Sequence, residues 1–203
     1  MKTKSKALLL TLCAVLLVAA SVLGTMAYLT STDSVENTFT VGSVAITLDE
    51  AKVNTDGTVV ANADRVKKND YKLMPGHKYI KDPTVHVAAG SENSWIFVKV
   101  ENGIYDYVVS SNKIEDQIAA KGWMALNGAS NVYYKEYTKN DTEATDLVVF
   151  SEFEIANDAN TKDGWGNLNG AKVTVTAYAV QKDGFTTAAD AWNATFGKPA
   201  TNP

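Results

Sequence analysis

The sequence predicts an all-β fold, an antiparallel jelly-roll β-sandwich with one or two short helices. Two observations predict it. Short runs rich in β-branched and aromatic residues alternate with polar residues at a period of two, as half-buried strands do. Turn pairs such as Asn102-Gly103 and Asp183-Gly184 separate these runs, and no β-α-β alternation is present.

The strands of the main body follow from this alternation. The clearest run is KVTVTAYAVQ at 172–181, which places Val173, Val175, Ala177 and Ala179 on one face and Thr174, Thr176 and Tyr178 on the other. In TVHVA at 84–88, both valines are buried if His86 faces outward. The predicted strands of the body are 84–88, 94–101, 132–138, 146–155 and 172–181.

Two segments break the period of two and predict short helices. NKIEDQIAAK at 112–121 places its two isoleucines on one helical face, which is typical of a helix that covers a core. TAADAWNATF at 187–196 predicts a terminal helix, with Thr186 or Thr187 as its N-cap and Gly197 as its stop.

The N-terminus carries the features of an export signal. Three lysines within the first six residues precede an uncharged, apolar segment at 7–24. Thr25 and Ala27 place small residues at the positions that signal peptidase reads, so the predicted mature chain begins at Tyr28. The alternative is an uncleaved anchor, since the apolar segment is nearly long enough to span a bilayer. We expect residues 1–27 to be a signal peptide and 28–203 to be a single secreted β-sandwich domain.

Composition restricts the chemistry of the exported part. The only cysteine, Cys13, lies in the segment predicted to be removed, which leaves no disulfide, cysteine-based zinc site or cysteine nucleophile. The whole chain has a net charge of −4, and loss of the N-terminal lysines makes the remainder more acidic. This argues against nucleic acid as a partner, and against a membrane after cleavage. We expect the small basic cluster of Arg65, Lys67 and Lys68 to be a solvated face.

The first part of the mature chain predicts an arm. In NTFTVGSVAITL at 37–48, Phe39 and Val41 share one parity, and Val35 shares it too, whereas the apolar residues after Gly42 have the other parity. Such a change of phase at a glycine indicates a bulge or a sharp bend. We therefore predict an N-terminal strand or arm at 28–42 with Gly42 as its hinge. The alternative is that 37–41 forms an edge strand of its own domain.

Three stretches, in this order, carry a family resemblance. They are AYLTSTDSVENTFTVGSVAITLDEAKV at 27–53, MPGHKYIKDPTVHVAAGSENSWIFVKVEN at 74–102 and AYAVQKDGFTTAADAW at 177–192. Their order and spacing resemble the TasA/camelysin family over nearly the whole chain. Members of that family are exported by Gram-positive bacteria, usually through a SipW-type signal peptidase.

The resemblance implies a jelly-roll domain and, as for TasA, polymerisation into fibres of the biofilm matrix. In such fibres the N-terminal segment of one subunit is thought to complete the sheet of the next, which is β-strand addition. The expected function is thus an exported structural protein of the extracellular matrix or cell surface. Its expected partners are itself, the signal peptidase and, as a further candidate, an accessory matrix protein. The donor-strand residues would be Val35, Phe39 and Val41.

The resemblance also raises an enzymatic alternative, because camelysin-type members have been described as metallopeptidases. The chain has two histidines, His77 and His86, and no HExxH motif. A loop containing Asp158, Asn160 and Asp163 offers oxygen donors but does not match an EF-hand. We expect the histidines to be solvated surface side chains, and we expect no cofactor, metal site or catalytic residue.

A third alternative is a monomeric adhesin or sugar-binding module. Trp123 and Trp165 lie beside glycines in turn-rich stretches and would be its stacking platforms. We expect both tryptophans to cap the core instead.

Overall fold

The structure is a computed structural model that describes residues 6, 10–19 and 42–197. The chain divides into two units, residues 1–41 and 42–203. In the first unit, residues 10–19 are helical. Within the described ranges, no helix combines the length and the apolar character needed to cross a bilayer.

Residues 42–197 form nine strands and two α-helices. The strands are β1 (Ile46–Asp49), β2 (Lys78–Ile80), β3 (Thr84–Val87), β4 (Ser94–Asn102), β5 (Met124–Ala125), β6 (Val132–Tyr137), β7 (Thr145–Val148), β8 (Glu152–Glu154) and β9 (Val173–Gln181). The helices are α1 (Ile114–Ala120) and α2 (Ala188–Thr195). Four short 3-10 turns lie at Tyr105–Tyr107, Ser110–Asn112, Ala159–Thr161 and Trp165–Asn167.

The strands pair only in antiparallel fashion in the part of the chain that is described. They form a four-stranded sheet in the order β5-β6-β4-β9, a three-stranded sheet in the order β1-β3-β7, and a two-stranded sheet of β2 and β8. This arrangement is mostly β and is consistent with an antiparallel sandwich, so the predicted all-β class is confirmed. Both predicted helices of the body are present.

The two smaller sheets share one register. Moving six residues along the chain from Tyr79 in β2 to Val85 in β3 moves the partner six residues back, from Phe153 to Leu147. Backbone hydrogen bonds continue through the gap between the two ladders. Pro83 lies in that gap and has no N–H to donate, which interrupts the regular pattern. The predicted strand at 146–155 is therefore divided into β7 and β8, although its pairing continues.

The main core lies between the four-stranded sheet and the smaller sheets. Val85 and Val87 of β3 are fully buried, as are Ile96 and Val98 of β4, and the helix α1 adds its two isoleucines. His86 faces outward between the two valines, as the alternation predicts. The core is thus built from the faces that the sequence pattern indicates.

A second apolar cluster covers the outer face of the four-stranded sheet. Trp95 and Phe97 of β4 are buried there under α2, whose Ala191 and Trp192 pack against them. The helix begins at Thr187, whose hydroxyl accepts a hydrogen bond from the backbone N–H of Asp190 at 3.1 Å. Because both faces of β4 are covered, β4 is the most buried strand of the four-stranded sheet.

One glycine allows a close approach beneath the two-stranded sheet. Gly57 has a φ of +85°, and a Cβ on it would lie 2.6 Å from the Cα of Tyr79. The ring of Tyr79 is fully buried and stacks on Phe153 with ring centroids 5.1 Å apart. Only glycine fits at position 57, since any side chain would displace the backbone of β2.

Candidate functional site

The longest open strand edge in residues 42–197 lies along β9. This strand has nine residues, and β4 pairs with all of them on one side. On the other side, no strand of the described part pairs with it. An edge strand of this length presents a row of backbone N–H and C=O groups on which another strand can form a ladder.

The side chains that β9 points into the core are only half-covered. Val173, Val175, Ala177 and Ala179 pack against the main core but keep part of their surface exposed. On the neighbouring strand β4, the corresponding inward residues, such as Ile96, are fully buried. The difference arises because β4 has a neighbour on each side and β9 has one. Within residues 42–197, the edge of β9 therefore combines backbone groups that pair with no second strand and apolar side chains that are incompletely buried.

The chain enters this unit at one end of that edge. A Cβ on Gly42 would lie 2.8 Å from Cγ of Glu92 and 3.4 Å from Nε2 of Gln181, the last residue of β9. After Gly42, the carbonyl of Ser43 accepts from the N–H of Glu92, and the carbonyl of Ala45 accepts from Ala88 before β1 begins. Gly42, the first described residue of this unit, thus lies beside the end of β9. The crowding around Gly42 favours a residue without a side chain.

The residues predicted to act before Gly42 lie outside the described residues. They are the donor-strand residues Val35, Phe39 and Val41 and the cleavage-site residues Thr25, Ala27 and Tyr28. Their roles stay predictions.

His86 of β3 contacts a carboxylate on each of the two neighbouring strands of the three-stranded sheet. Its Nδ1 lies 2.6 Å from Oδ1 of Asp146 on β7, and its Nε2 lies 2.9 Å from Oδ1 of Asp49 on β1. Burial lowers the pKa of His86, but the hydrogen bonds to the two aspartates outweigh it, and the pKa is raised above its usual value. A protonated imidazole donates from both nitrogens, which matches a carboxylate at each one. The expectation of a solvated histidine is wrong for His86.

Arg65 extends the same network. Its Nε donates to Asp49, its Nη1 donates to Asp82 at 2.9 Å, and its Nη2 donates to the hydroxyl of Thr84 at 3.1 Å. Burial raises the pKa of Asp49, but hydrogen bonds from Arg65 and His86 outweigh it, and the net pKa is lowered. Arg65 is exposed, as a solvated basic face requires, and its hydrogen bonds also anchor the loop after β1 to the sheet. The pair Lys68–Asp70 is exposed as well.

A buried ion pair that was not predicted from the sequence lies beside this network. The carboxylate of Glu50 is buried and pairs with the ammonium of Lys81 at 2.5 Å, while Asn69 donates to its other oxygen at 2.9 Å. Nearby, burial raises the pKa of Tyr71, and the charge of Glu50 adds to the effect. Glu50 and Lys81 are 31 residues apart. No local pattern could have paired them, although a charged residue that follows directly on a strand was a possible signal.

The candidate metal ligands do not come together. Among the described residues, no group of three or more His, Cys, Asp or Glu side chains could hold a metal ion. Both nitrogens of His86 already face carboxylates, and His77 is exposed. In the loop with Asn160 and Asp163, the ammonium of Lys162 lies 4.0 Å from Asp158, where a cation would compete with it.

The two tryptophans of the sugar-binding alternative pack inward. Trp123 is 2% exposed, and its indole N–H donates to the carbonyl of Val148 at 2.9 Å. Trp165 is half-buried against the ring of Tyr107, with centroids 5.9 Å apart. Trp123 therefore caps the core as expected, and it offers no exposed face for a sugar ring.

Comparison with protein-family models, curated proteins and solved structures finds no match for this chain. The TasA/camelysin resemblance therefore depends on the sequence stretches quoted above. The open edge of β9 and the chain entry at Gly42 are the structural features against which the resemblance can be tested.

Proposed function

We propose that this protein is an exported, non-catalytic structural subunit of the extracellular matrix or cell surface of a Gram-positive bacterium. In this proposal, a SipW-type signal peptidase releases the chain, and residues 28–41 of one subunit add as a strand to the β9 edge of the next. The subunits thereby form a homopolymer, with an accessory matrix protein as a further candidate partner. The observation that carries the proposal is the nine-residue open edge of β9 with its half-covered apolar face.

Strand addition would both pair the backbone groups of that edge and bury its apolar side chains. The incoming backbone would pair with the free N–H and C=O groups of β9, and alternate side chains would cover its valines and alanines. Phe39 and Val41 share one parity and can point to the same face. Each fully buried apolar side chain contributes about 1.5–3 kcal/mol, so two or three of them would stabilise each joint by several kcal/mol before ordering costs.

The proposal also includes the finer topology. The three-stranded sheet and the four-stranded sheet are unequal in strand number. A jelly roll has eight strands in two sheets. If β2 with β3 and β7 with β8 are each counted as one strand, residues 42–197 have seven, and a strand received at the β9 edge would make eight, with five in one sheet and three in the other. The complete jelly roll would then be a property of the assembled fibre.

Electron microscopy of two purified proteins tests the proposal. The chain starting at Tyr28 is expected to form regular fibres at high concentration, and the chain starting at Gly42 is expected to form none. The shortened chain should stay folded by circular dichroism, because its described strands do not need the arm. A synthetic peptide of residues 28–41 should bind the shortened chain and keep it soluble.

Opposite-parity substitutions provide a matched control. Phe39→Asp with Val41→Asp should abolish fibres, because both charges would enter the apolar edge. Thr38→Asp with Thr40→Asp adds the same charge to the same segment on the other face, and fibres should persist. Equal loss of fibres in both double variants would contradict insertion of the Phe39 face.

Three outcomes would each support a different function. If the shortened chain unfolds while the longer chain stays monomeric, residues 37–41 are an edge strand of their own domain. Cleavage of casein that a chelator stops would support the camelysin-like peptidase. Polysaccharide binding by a stable monomer would support the adhesin.

A further inference from the structure

The chain contains three Asn-Gly pairs, which differ in their hydrogen bonding and exposure. They are Asn102-Gly103, Asn127-Gly128 and Asn169-Gly170. An asparagine before glycine can lose its side-chain amide without an enzyme, because the glycine nitrogen is unhindered and can reach the side-chain carbonyl carbon. Whether it does so in a folded protein depends on the freedom of both groups.

The first pair is held in place on every side. The amide nitrogen of Asn102 donates to Glu115 at 3.0 Å, and its amide oxygen accepts from the N–H of Ile104 at 3.1 Å. The N–H of Gly103 donates to the carbonyl of Lys172 at 2.9 Å. Both the attacking nitrogen and the carbon under attack are therefore restrained.

The other two pairs lie in exposed turns of the same kind. In each turn the residue after glycine donates its N–H to the residue before asparagine. Gly128 and Gly170 have φ values of +87° and +86°, which is the geometry of the third residue of a type II turn. Asn127 and Asn169 are exposed, and neither side chain forms a hydrogen bond within residues 42–197. The N–H groups of the two glycines are also free of backbone acceptors in that range.

We propose that Asn127 and Asn169 are sites of spontaneous deamidation in the folded protein and that Asn102 is protected. The backbone nitrogen of the glycine loses its proton to hydroxide and attacks Cγ of the asparagine. The new C–N bond closes a succinimide, and the Cγ–NH2 bond breaks as the leaving nitrogen takes a proton from water and departs as ammonia, which regenerates hydroxide. Water then opens the ring at either carbonyl and gives aspartate or isoaspartate.

The two products affect the molecule differently. Both aspartate and isoaspartate add one negative charge to an already acidic chain. Isoaspartate adds an atom to the backbone within a tight turn. At Asn127 that turn joins β5 to β6, and β5 is a two-residue edge strand. Modification at Asn127 is therefore expected to loosen β5.

Peptide mapping by mass spectrometry tests the proposal on the full secreted chain. The protein is incubated at mildly alkaline pH in its native state and, separately, in denaturant. In the native state, Asn102 should react at least about tenfold more slowly than Asn127 and Asn169, a difference equivalent to about 1.4 kcal/mol. In denaturant the three rates should converge, because the hydrogen bonds are gone.

Two variants test whether hydrogen bonding protects Asn102 and whether the two exposed turns react independently. Glu115→Ala removes the acceptor that holds the amide of Asn102, and deamidation there should become faster while the other two sites keep their rates. Asn127→Gln should abolish the reaction at that turn and leave Asn169 unchanged. Equal native rates at all three sites, or unreactive Asn127 and Asn169 in a native protein that reacts when denatured, would overturn the proposal.

Discussion

His86 is a single residue whose charge connects β1, β3 and β7. Its raised pKa means that the folded state favours the protonated imidazole. Its contribution to stability is therefore complete below the ordinary pKa of about 6.5 and is lost as the pH rises through the raised value in the folded state. Asp49 acts in the opposite direction, because its pKa is lowered. Its contribution is present above about 3.9 and is lost as the pH falls through the lowered value.

The variant His86→Gln should therefore destabilise the domain on the acidic side and not on the alkaline side. We expect a loss of about 1 kcal/mol below about pH 6, which shrinks toward zero at about pH 9, measured by urea unfolding at each pH. His77→Gln is the matched control, because His77 is exposed, and it should leave the midpoint unchanged. A pH-independent difference would show that His86 acts through packing instead.

Alanine substitutions at Gly57 and Gly90 distinguish the cost of backbone strain from the cost of steric overlap. Both have positive φ, but only at Gly57 would a Cβ meet another atom within contact distance. Gly90→Ala should cost about 1 kcal/mol through strain alone. Gly57→Ala should cost about 2 kcal/mol more, because the backbone of β2 must move. Thermal unfolding of both variants measures the difference, and equal losses would mean that β2 adjusts freely.

At the scale of elements, substitutions of two neighbouring threonines test which residue is the N-cap of α2. The hydroxyl of Thr187 accepts from Asp190, and the sequence left Thr186 and Thr187 as equal candidates for the cap. Thr187→Ala should destabilise the domain by about 1 kcal/mol, whereas Thr186→Ala should change little. Because α2 covers Trp95 and Phe97, tryptophan fluorescence reports the change. A larger effect at Thr186 would contradict the observed cap.

Elements with strong alternation could be predicted from the sequence, and short ones could not. The run at 172–181 forms a strand with Val173 and Val175 packed against the main core, since nine residues at a period of two leave one solution. β2 and β5 were missed, because three and two residues cannot establish a period. The boundary between β7 and β8 was missed as well. It depends on Pro83, which lies on the partner strand and far away in sequence.

The candidate site also has features that could be predicted from the sequence and features that could not. The apolar inward face of β9 was predicted from its own residues, but its lack of a second neighbour depends on how all the other strands pair. The network around Arg65 was not foreseen, because its partners Asp49 and Asp82 come from segments 16 and 17 residues away. Sequence periodicity reports which face a residue takes, and it does not report which charges meet across a sheet.

At the scale of the whole molecule, the proposed export includes cleavage after Ala27. We expect secreted protein to begin at Tyr28 and to lack Cys13, as shown by intact mass and N-terminal sequencing. Ala27→Trp should leave the precursor in the membrane, because signal peptidase requires a small residue there. Secreted protein that still carries residues 8–22 would contradict the prediction.

The pairing of distant strands has a consequence for the speed of folding. His86 and Asp146 are neighbours in the sheet although 60 residues separate them, and β4 must wait for β9 at the far end of the chain. Domains dominated by such non-local pairs fold in milliseconds to seconds, because loop entropy is lost before contacts form. We expect the sandwich to remain open until its last strand has emerged, which would leave the chain time to cross a membrane unfolded.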